Sequence, residues 1–117
     1  MKYYKSFMTK KQEEIKNAKI NEALNLLRIG SRKVNEIRYN TSESKEHINK
    51  KKEICQKLWL KGLDFVTEAI FKNGCRADIF VLEKFKCIEI LKSETESSIL
   101  KKMDKYPKGL YFELVYV

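Results

Sequence analysis

Proline occurs once in this chain, histidine and tryptophan once each, glycine only four times, and no apolar run exceeds five residues. The short apolar runs rule out a transmembrane helix, which needs about 20 consecutive, mainly apolar residues. The opening Met1-Lys2-Tyr3-Tyr4-Lys5 has no apolar centre for a secretory signal, so the expected setting is intracellular, in the cytoplasm, with no membrane partner. Cys55, Cys75 and Cys87 are odd in number and lack both a CxxC pair and a zinc-like His/Cys spacing. They read as buried, reduced thiols that do no chemistry. The lone His47 follows Glu46 on a helical stretch; a histidine so placed is more often a surface or capping residue than a ligand or base, although the neighbouring acid keeps it a candidate. Nothing in the chain resembles a zinc finger, a homeodomain or an aromatic RNA-binding platform.

What is present is a 117-residue chain, 43% hydrophobic and 35% charged, long enough for one core and not for two. Its net charge of +9 is unevenly spread. Met1 to Gly62 holds 16 Lys and Arg against 7 Asp and Glu, whereas Leu63 to Val117 holds 9 of each. The whole excess is N-terminal. That asymmetry points to helices that carry a phosphate-binding surface beside a C-terminal half that carries acids, with Lys50, Lys51, Lys52 and Arg76 as the candidate nucleic-acid contacts. The plainer reading is a lysine-rich solvated face.

Periodicity sets the element order. Thr9, with Gln12 and Glu13 behind it, is a plausible cap for a first helix running to about Ile29; Ile20, Ala23, Leu24 and Leu27 recur at helical spacing before Gly30. A second helix is expected from about Glu43 to Lys61, with a broad stripe of Ile48, Ile54, Cys55, Leu58 and Trp59, ended by Gly62. Glu43, Glu46, His47 and Lys50 share a face of it. Strands follow at Leu63 to Phe71, Cys75 to Leu82 and Lys86 to Lys92, then a helix that starts within Ser93-Glu94-Thr95-Glu96 and stops before Tyr106-Pro107. Leu110 to Val117 is a terminal strand, apolar enough to be central or to lie against a helix, and its return after a helix fits a parallel crossover.

The second and third strands each set one acid, Asp78 and Glu89, among β-branched and aromatic residues. A charge at such a position is costly unless it is solvated or held for a purpose. If the strands pair, Asp78 alternates with Ile79 and Val81 while Glu89 alternates with Ile88 and Ile90, so the two acids can share a face. Two carboxylates converging at a strand edge near a lysine can hold a divalent metal against a phosphodiester; the alternative is a half-solvated sheet with surface acids. Glu68, flanked by Thr67 and Ala69, is a candidate third carboxylate.

The residues Arg76-Ala77-Asp78-Ile79-Phe80-Val81, a short gap, and Ile88-Glu89-Ile90-Leu91-Lys92-Ser93-Glu94 resemble the PD-(D/E)xK, restriction-endonuclease-like superfamily, near its competence-associated nucleases and Holliday-junction resolvases. The resemblance covers roughly residues 43–117. It implies an α/β fold with an αβββαβ core, a mixed central sheet flanked by helices, preceded here by an extra helical extension over residues 1–42. It implies a metal-dependent nuclease acting on nucleic acid, DNA ahead of RNA, with Mg²⁺ or Mn²⁺ as cofactor and a homodimer as a candidate assembly. By resemblance Asp78 and Glu89 are the metal ligands and Glu46 the helix acid; with Lys92 these form the candidate catalytic set, and Glu68, read from its own place in the first strand, is a candidate third metal ligand. One departure stands out: the family's lysine falls at Leu91, and Lys92 comes one residue later, which on a strand is the opposite face. Lys86, Lys101 or Lys102 could serve instead. The departure leaves a second reading, a nuclease fold that binds nucleic acid without turnover, and a third, a basic interaction protein.

Overall fold

A computed structural model describes residues 8–117. Its elements are α1 (Lys10–Leu24), a 3₁₀ turn (Ile29–Ser31), α2 (Lys45–Leu60), β1 (Phe65–Ile70), β2 (Arg76–Val81), β3 (Lys86–Leu91), α3 (Glu96–Met103) and β4 (Tyr111–Tyr116). This is the expected order. The signals that set it are local: Thr9 and Gln12 form a reciprocal capping box on α1, Ser44 caps α2 and Thr95 caps α3 through side-chain oxygens. Gly62, at φ 70°, ends α2 in a Schellman turn, in which the Leu63 amide donates to Leu58 O and the Gly62 amide to Trp59 O. The first helix is shorter than expected, because the chain leaves helical geometry after Leu24 so that residues 26–28 can run along β1.

The protein is α/β, built on one four-stranded mixed sheet in the order β1-β2-β3-β4. β1, β2 and β3 form an antiparallel meander, and β4 returns through α3 to lie parallel to β3. On one face Cys55 and Leu58 of α2 meet Phe65, Ile79, Val81, Ile88 and Ile90. On the other, Ala23 and Leu27 meet Val66, Phe71, Phe80, Cys87 and Tyr106. The outer edge of β1 is closed by residues 26–38: Leu27 bridges Phe71, the Arg28 amide donates to Ile70 O, and the Arg38 amide donates to Thr67 Oγ1.

Two expectations need correcting. β4 is an edge strand with Tyr111 and Tyr116 exposed, rather than central or helix-packed; Phe112 and Val115 alone turn inward, one to each core. Trp59, part of the apolar stripe of α2, is exposed: Leu58 lies about 60° to one side of Cys55 and packs on the sheet with it, whereas Trp59 lies about 40° to the other side, away from that contact. Among the described residues no helix is long and apolar enough to cross a membrane.

Strict alternation fails at one place in the sheet. Val66 and Ala69, three residues apart, face the same core, as do Ala77 and Phe80. The defects fall at Glu68, whose φ of 48° is strained for a residue with a Cβ, and opposite it at Asp78. Backbone in that region costs on the order of 1–3 kcal/mol and persists only where its surroundings enforce it.

Candidate active site

The β2–β3 ladder runs through Val81–Lys86, Phe80–Cys87 and Ile79–Ile88. The next pair in that register is Asp78 with Glu89, and there backbone pairing stops. Asp78 Oδ2 instead accepts the Ile90 amide at 2.8 Å, so the carboxylate stands where a strand carbonyl would be. On the other side of β2, the pairs Thr67–Ile79 and Ala69–Ala77 leave Glu68 facing Asp78, again without a ladder bond. Three carboxylates therefore form a row across three strands at the one place where the sheet parts.

Glu89 keeps the face of Cys87 and lies beneath α3. Its side chain is almost wholly buried; Oε1 accepts the Tyr106 hydroxyl at 2.6 Å and Oε2 lies 3.4 Å from Lys102 Nζ. Burial, and then the negative charge of Asp78, push its carboxyl up to about 7 against the pull of Tyr106 and Lys102. Burial and the neighbouring Glu89 in turn push the Tyr106 hydroxyl up, so it remains a donor. A cavity of about 50 Å³, room for about three waters, lies against Glu89, Leu91, Ile99, Lys102 and Met103.

Asp78 turns toward α2. The Nε2 of His47 is 3.5 Å from Asp78 Oδ2, and its Nδ1 bonds Glu43 Oε2. Glu43 Oε1 also accepts the Asn40 amide at 2.6 Å and Lys51 Nζ at 2.7 Å. Lys51, with no solvent exposure, donates further to Arg38 O at 3.0 Å and approaches Glu68 Oε1 at 3.4 Å. Burial works against ionised Glu43, but the bonds from Lys51, Asn40 and their neighbours outweigh it and bring the carboxyl down to about 2. Glu68 moves the other way, raised by burial and by its contact with Glu43 against the charges of Lys51 and Arg76.

The structure sets Asp78 in register between Glu68 on β1 and Glu89 on β3, with Asp78 turned toward α2 and Glu89 beneath α3; Lys51 and Arg76 reach Glu68, and Glu46, Lys92, Lys50 and Lys52 lie elsewhere. Glu46 is exposed and pairs with Lys92 at 3.7 Å on the surface. Neither touches Asp78 or Glu89; the acid that reaches the row is Glu43, in the loop just before the Ser44 cap of α2, and the lysine beside Glu89 is Lys102. Leu91, two residues after Glu89, is buried under α3. Lys50 pairs with Glu53 at 2.9 Å, Lys52 is exposed with its ammonium 5.6 Å from the Tyr39 ring centre, and Arg76 reaches Glu68 at 3.7 Å. Lys51 is no surface contact at all: the acids around it draw its ammonium inward. Glu43, His47, Lys51, Cys55 and Leu58 form one line at helical spacing, so extending the apolar stripe of α2 backward through its polar members was the signal that marks Glu43 and Lys51 as inward. Tyr106 had no such signal, being 17 residues from the acid it holds.

Asp78 and Glu89 offer hard oxygen donors of the kind Mg²⁺ and Mn²⁺ take, and an acid held up to about 7 by burial and, after it, by a neighbouring carboxylate is one whose ionised form a cation would favour. Among the described residues no group of three or more His, Cys, Asp and Glu is arranged to hold a metal ion. Mg²⁺ commonly keeps several waters and takes one or two protein carboxylates together with substrate phosphate, so its protein donors here would be Asp78, Glu89 or both. The chain matches no protein-family model, no curated protein and no solved structure. Fold and site together define an α/β protein with a four-stranded mixed sheet and a row of three carboxylates at the fork between its strands.

Proposed function

We propose that the chain is a metal-dependent nuclease with a restriction-endonuclease-like core, cleaving phosphodiester bonds in nucleic acid, DNA ahead of RNA. The observation that carries this reading is the juxtaposition of Asp78, Glu89 and Lys102 where the β2–β3 ladder ends. Asp78 and Glu89 hold Mg²⁺ or Mn²⁺, with Glu68 as the outer acid. The ion, when bound, supplies charge neutralisation at the phosphodiester and lowers the pKa of water. Tyr106 and Lys102 orient Glu89, and Lys102 adds a positive charge where negative charge grows in the transition state. His47, tied to Glu43, holds Asp78 from the α2 side.

A second reading, nucleic-acid binding without turnover, is favoured by Leu91 in the family's lysine position and by a Glu89 whose two oxygens already have partners. The two readings separate in a cleavage assay on single-stranded, branched and plasmid DNA with Mg²⁺ or Mn²⁺, comparing wild type with Asp78→Ala and Lys102→Gln. Cleavage lost in Asp78→Ala and reduced at least tenfold in Lys102→Gln supports the nuclease. Wild-type protein that binds DNA and leaves every substrate intact sinks it.

A further inference from the structure

Beside the carboxylate row lies a cavity of about 360 Å³, bounded by Arg38, Tyr39, Asn40, Glu68, Ile70 and Arg76. We propose that it seats one unpaired nucleotide of a nucleic-acid strand, with the base on Tyr39 and the phosphate between Arg38 and Arg76. The proposal rests on the nuclease reading and adds the substrate class, a strand that is unpaired next to the bond to be cut.

The chemistry of the walls carries it. A volume of this size falls at the low end of small-molecule sites, enough for a single nucleotide and too small to receive the ridge of a duplex. Arg38 has no carboxylate partner among the described residues, and Arg76 has only the 3.7 Å approach of its Nε to Glu68, with half of its side chain exposed. Two such arginines lining one concave wall suit a phosphate, which guanidiniums grip through paired N–H donors. Tyr39 is 48% exposed, and the ammoniums of Lys51 and Lys52 stand 5.8 and 5.6 Å from its ring centre, which holds the ring without covering it. The amide oxygen of Asn40 is taken by Ser42, so its NH₂ is left to donate to a base edge.

The wall is also preorganised. The Arg38 amide is bound by Thr67 Oγ1 at 2.8 Å, its carbonyl by buried Lys51 at 3.0 Å, and the Asn40 amide by Glu43 at 2.6 Å. Little ordering is then required on binding. The cavity is continuous with the site, since Glu68 belongs to both and Arg76 is two residues, about 7 Å, from Asp78 along β2. An aromatic side chain among cations in a groove is the arrangement by which proteins stack the bases of single strands, whereas duplex is read by an element that projects into a groove.

The test is binding in EDTA, where no cleavage occurs, of a fluorescent twelve-nucleotide dT strand and of a duplex of equal length. Wild type, Tyr39→Ala, Tyr39→Phe and Arg38→Gln are compared after melting curves confirm that each is folded. The expected result is single strand bound at least tenfold more tightly than duplex. Tyr39→Ala should lose about tenfold for the single strand and less than twofold for the duplex, Tyr39→Phe should retain wild-type affinity, and Arg38→Gln should lower the salt slope by about one. Equal affinity for both forms, or equal loss for both in Tyr39→Ala, overturns the proposal. A protein that binds in this pattern and never cleaves overturns the nuclease reading alone. One that cuts duplex as fast as single strand, with unchanged rates in Tyr39→Ala, overturns this proposal alone.

Discussion

Replacing Lys51 with Met should unfold much of the stability of this small domain while leaving its apolar packing in place. The side chain is fully buried, and its ammonium is the shared partner of Glu43 at 2.7 Å, Arg38 O at 3.0 Å and Glu68 at 3.4 Å. Methionine keeps the stem and removes the charge, so two half-buried carboxylates are left facing each other with no cation between them. Breaking a buried ion pair by deleting one partner costs about 3–5 kcal/mol, against a total of about 5–15 kcal/mol for a domain of this size. A loss of about 4 kcal/mol lowers Tm by roughly 15 °C. The sign of the pH dependence is fixed by the same geometry. Without Lys51 the bond that holds Glu43 down to about 2 is gone and burial raises it, as it already raises Glu68. Both acids then favour their protonated forms in the folded state, so the defect should be largest near neutral pH and shrink as pH falls toward about 5. Urea unfolding at about pH 7.5 and about pH 5 reads both effects, and the triple variant Lys51→Met, Glu43→Gln, Glu68→Gln should recover most of the loss. A Lys51→Met protein within about 1 kcal/mol of wild type at neutral pH, or one whose deficit grows on acidification, would refute the reasoning and return Lys51 to the surface.

Three other outcomes follow from the site. Glu89, raised from the ordinary 4.5 to about 7, keeps a proton in the folded state that the unfolded chain releases; stability is therefore greatest below about pH 4.5 and falls by about 3 kcal/mol as pH rises to about 7, a slope that Glu89→Gln should remove when both are unfolded in urea with EDTA. Divalent ions should raise the Tm of wild type by about 5 °C at a tenfold excess over Kd, equivalent to about 1.4 kcal/mol; an equal rise in Asp78→Asn or Glu89→Gln would show that these acids do not bind the ion. Of the cysteines, Cys55 and Cys87 are buried, the first pushed up to about 12 by burial and the second raised by burial and by Glu89, whereas Cys75 is half-buried in the β1–β2 turn. Native protein should thus incorporate about one equivalent of a thiol reagent, at Cys75, and fast labelling of two would contradict the packing described here.

Element order, the cap at Thr9, the stop at Gly62 and the mid-strand placing of Asp78 and Glu89 were legible in the chain itself, because each depends on residues within about four positions of one another: Thr9 with Gln12, the Gly62 turn, Asp78 among Ile79 and Val81. The register that aligns Asp78 with Glu89 is nearly as local, since the β2–β3 hairpin is short and its apolar pattern allows one pairing. What the chain could not disclose was rotation and reach. That Glu43, just ahead of the Ser44 cap, turns inward while Glu46 in the first turn faces out depends on how α2 and the loop before it settle on the sheet, and that docking is set by Cys55 and Leu58 against Phe65, Ile79 and Ile88, partners that are distant in sequence. Lys51 is buried because that same docking carries it over Glu68, on a strand whose φ of 48° no sequence pattern announces. Lys102, rather than Lys92, stands beside Glu89 because α3 crosses the face that Glu89 shares with Leu91, while Lys92 lies one step round the strand and meets Glu46 at the surface. Side-chain period determines which residues can share a face; only the packing of one element on another decides which of them meet.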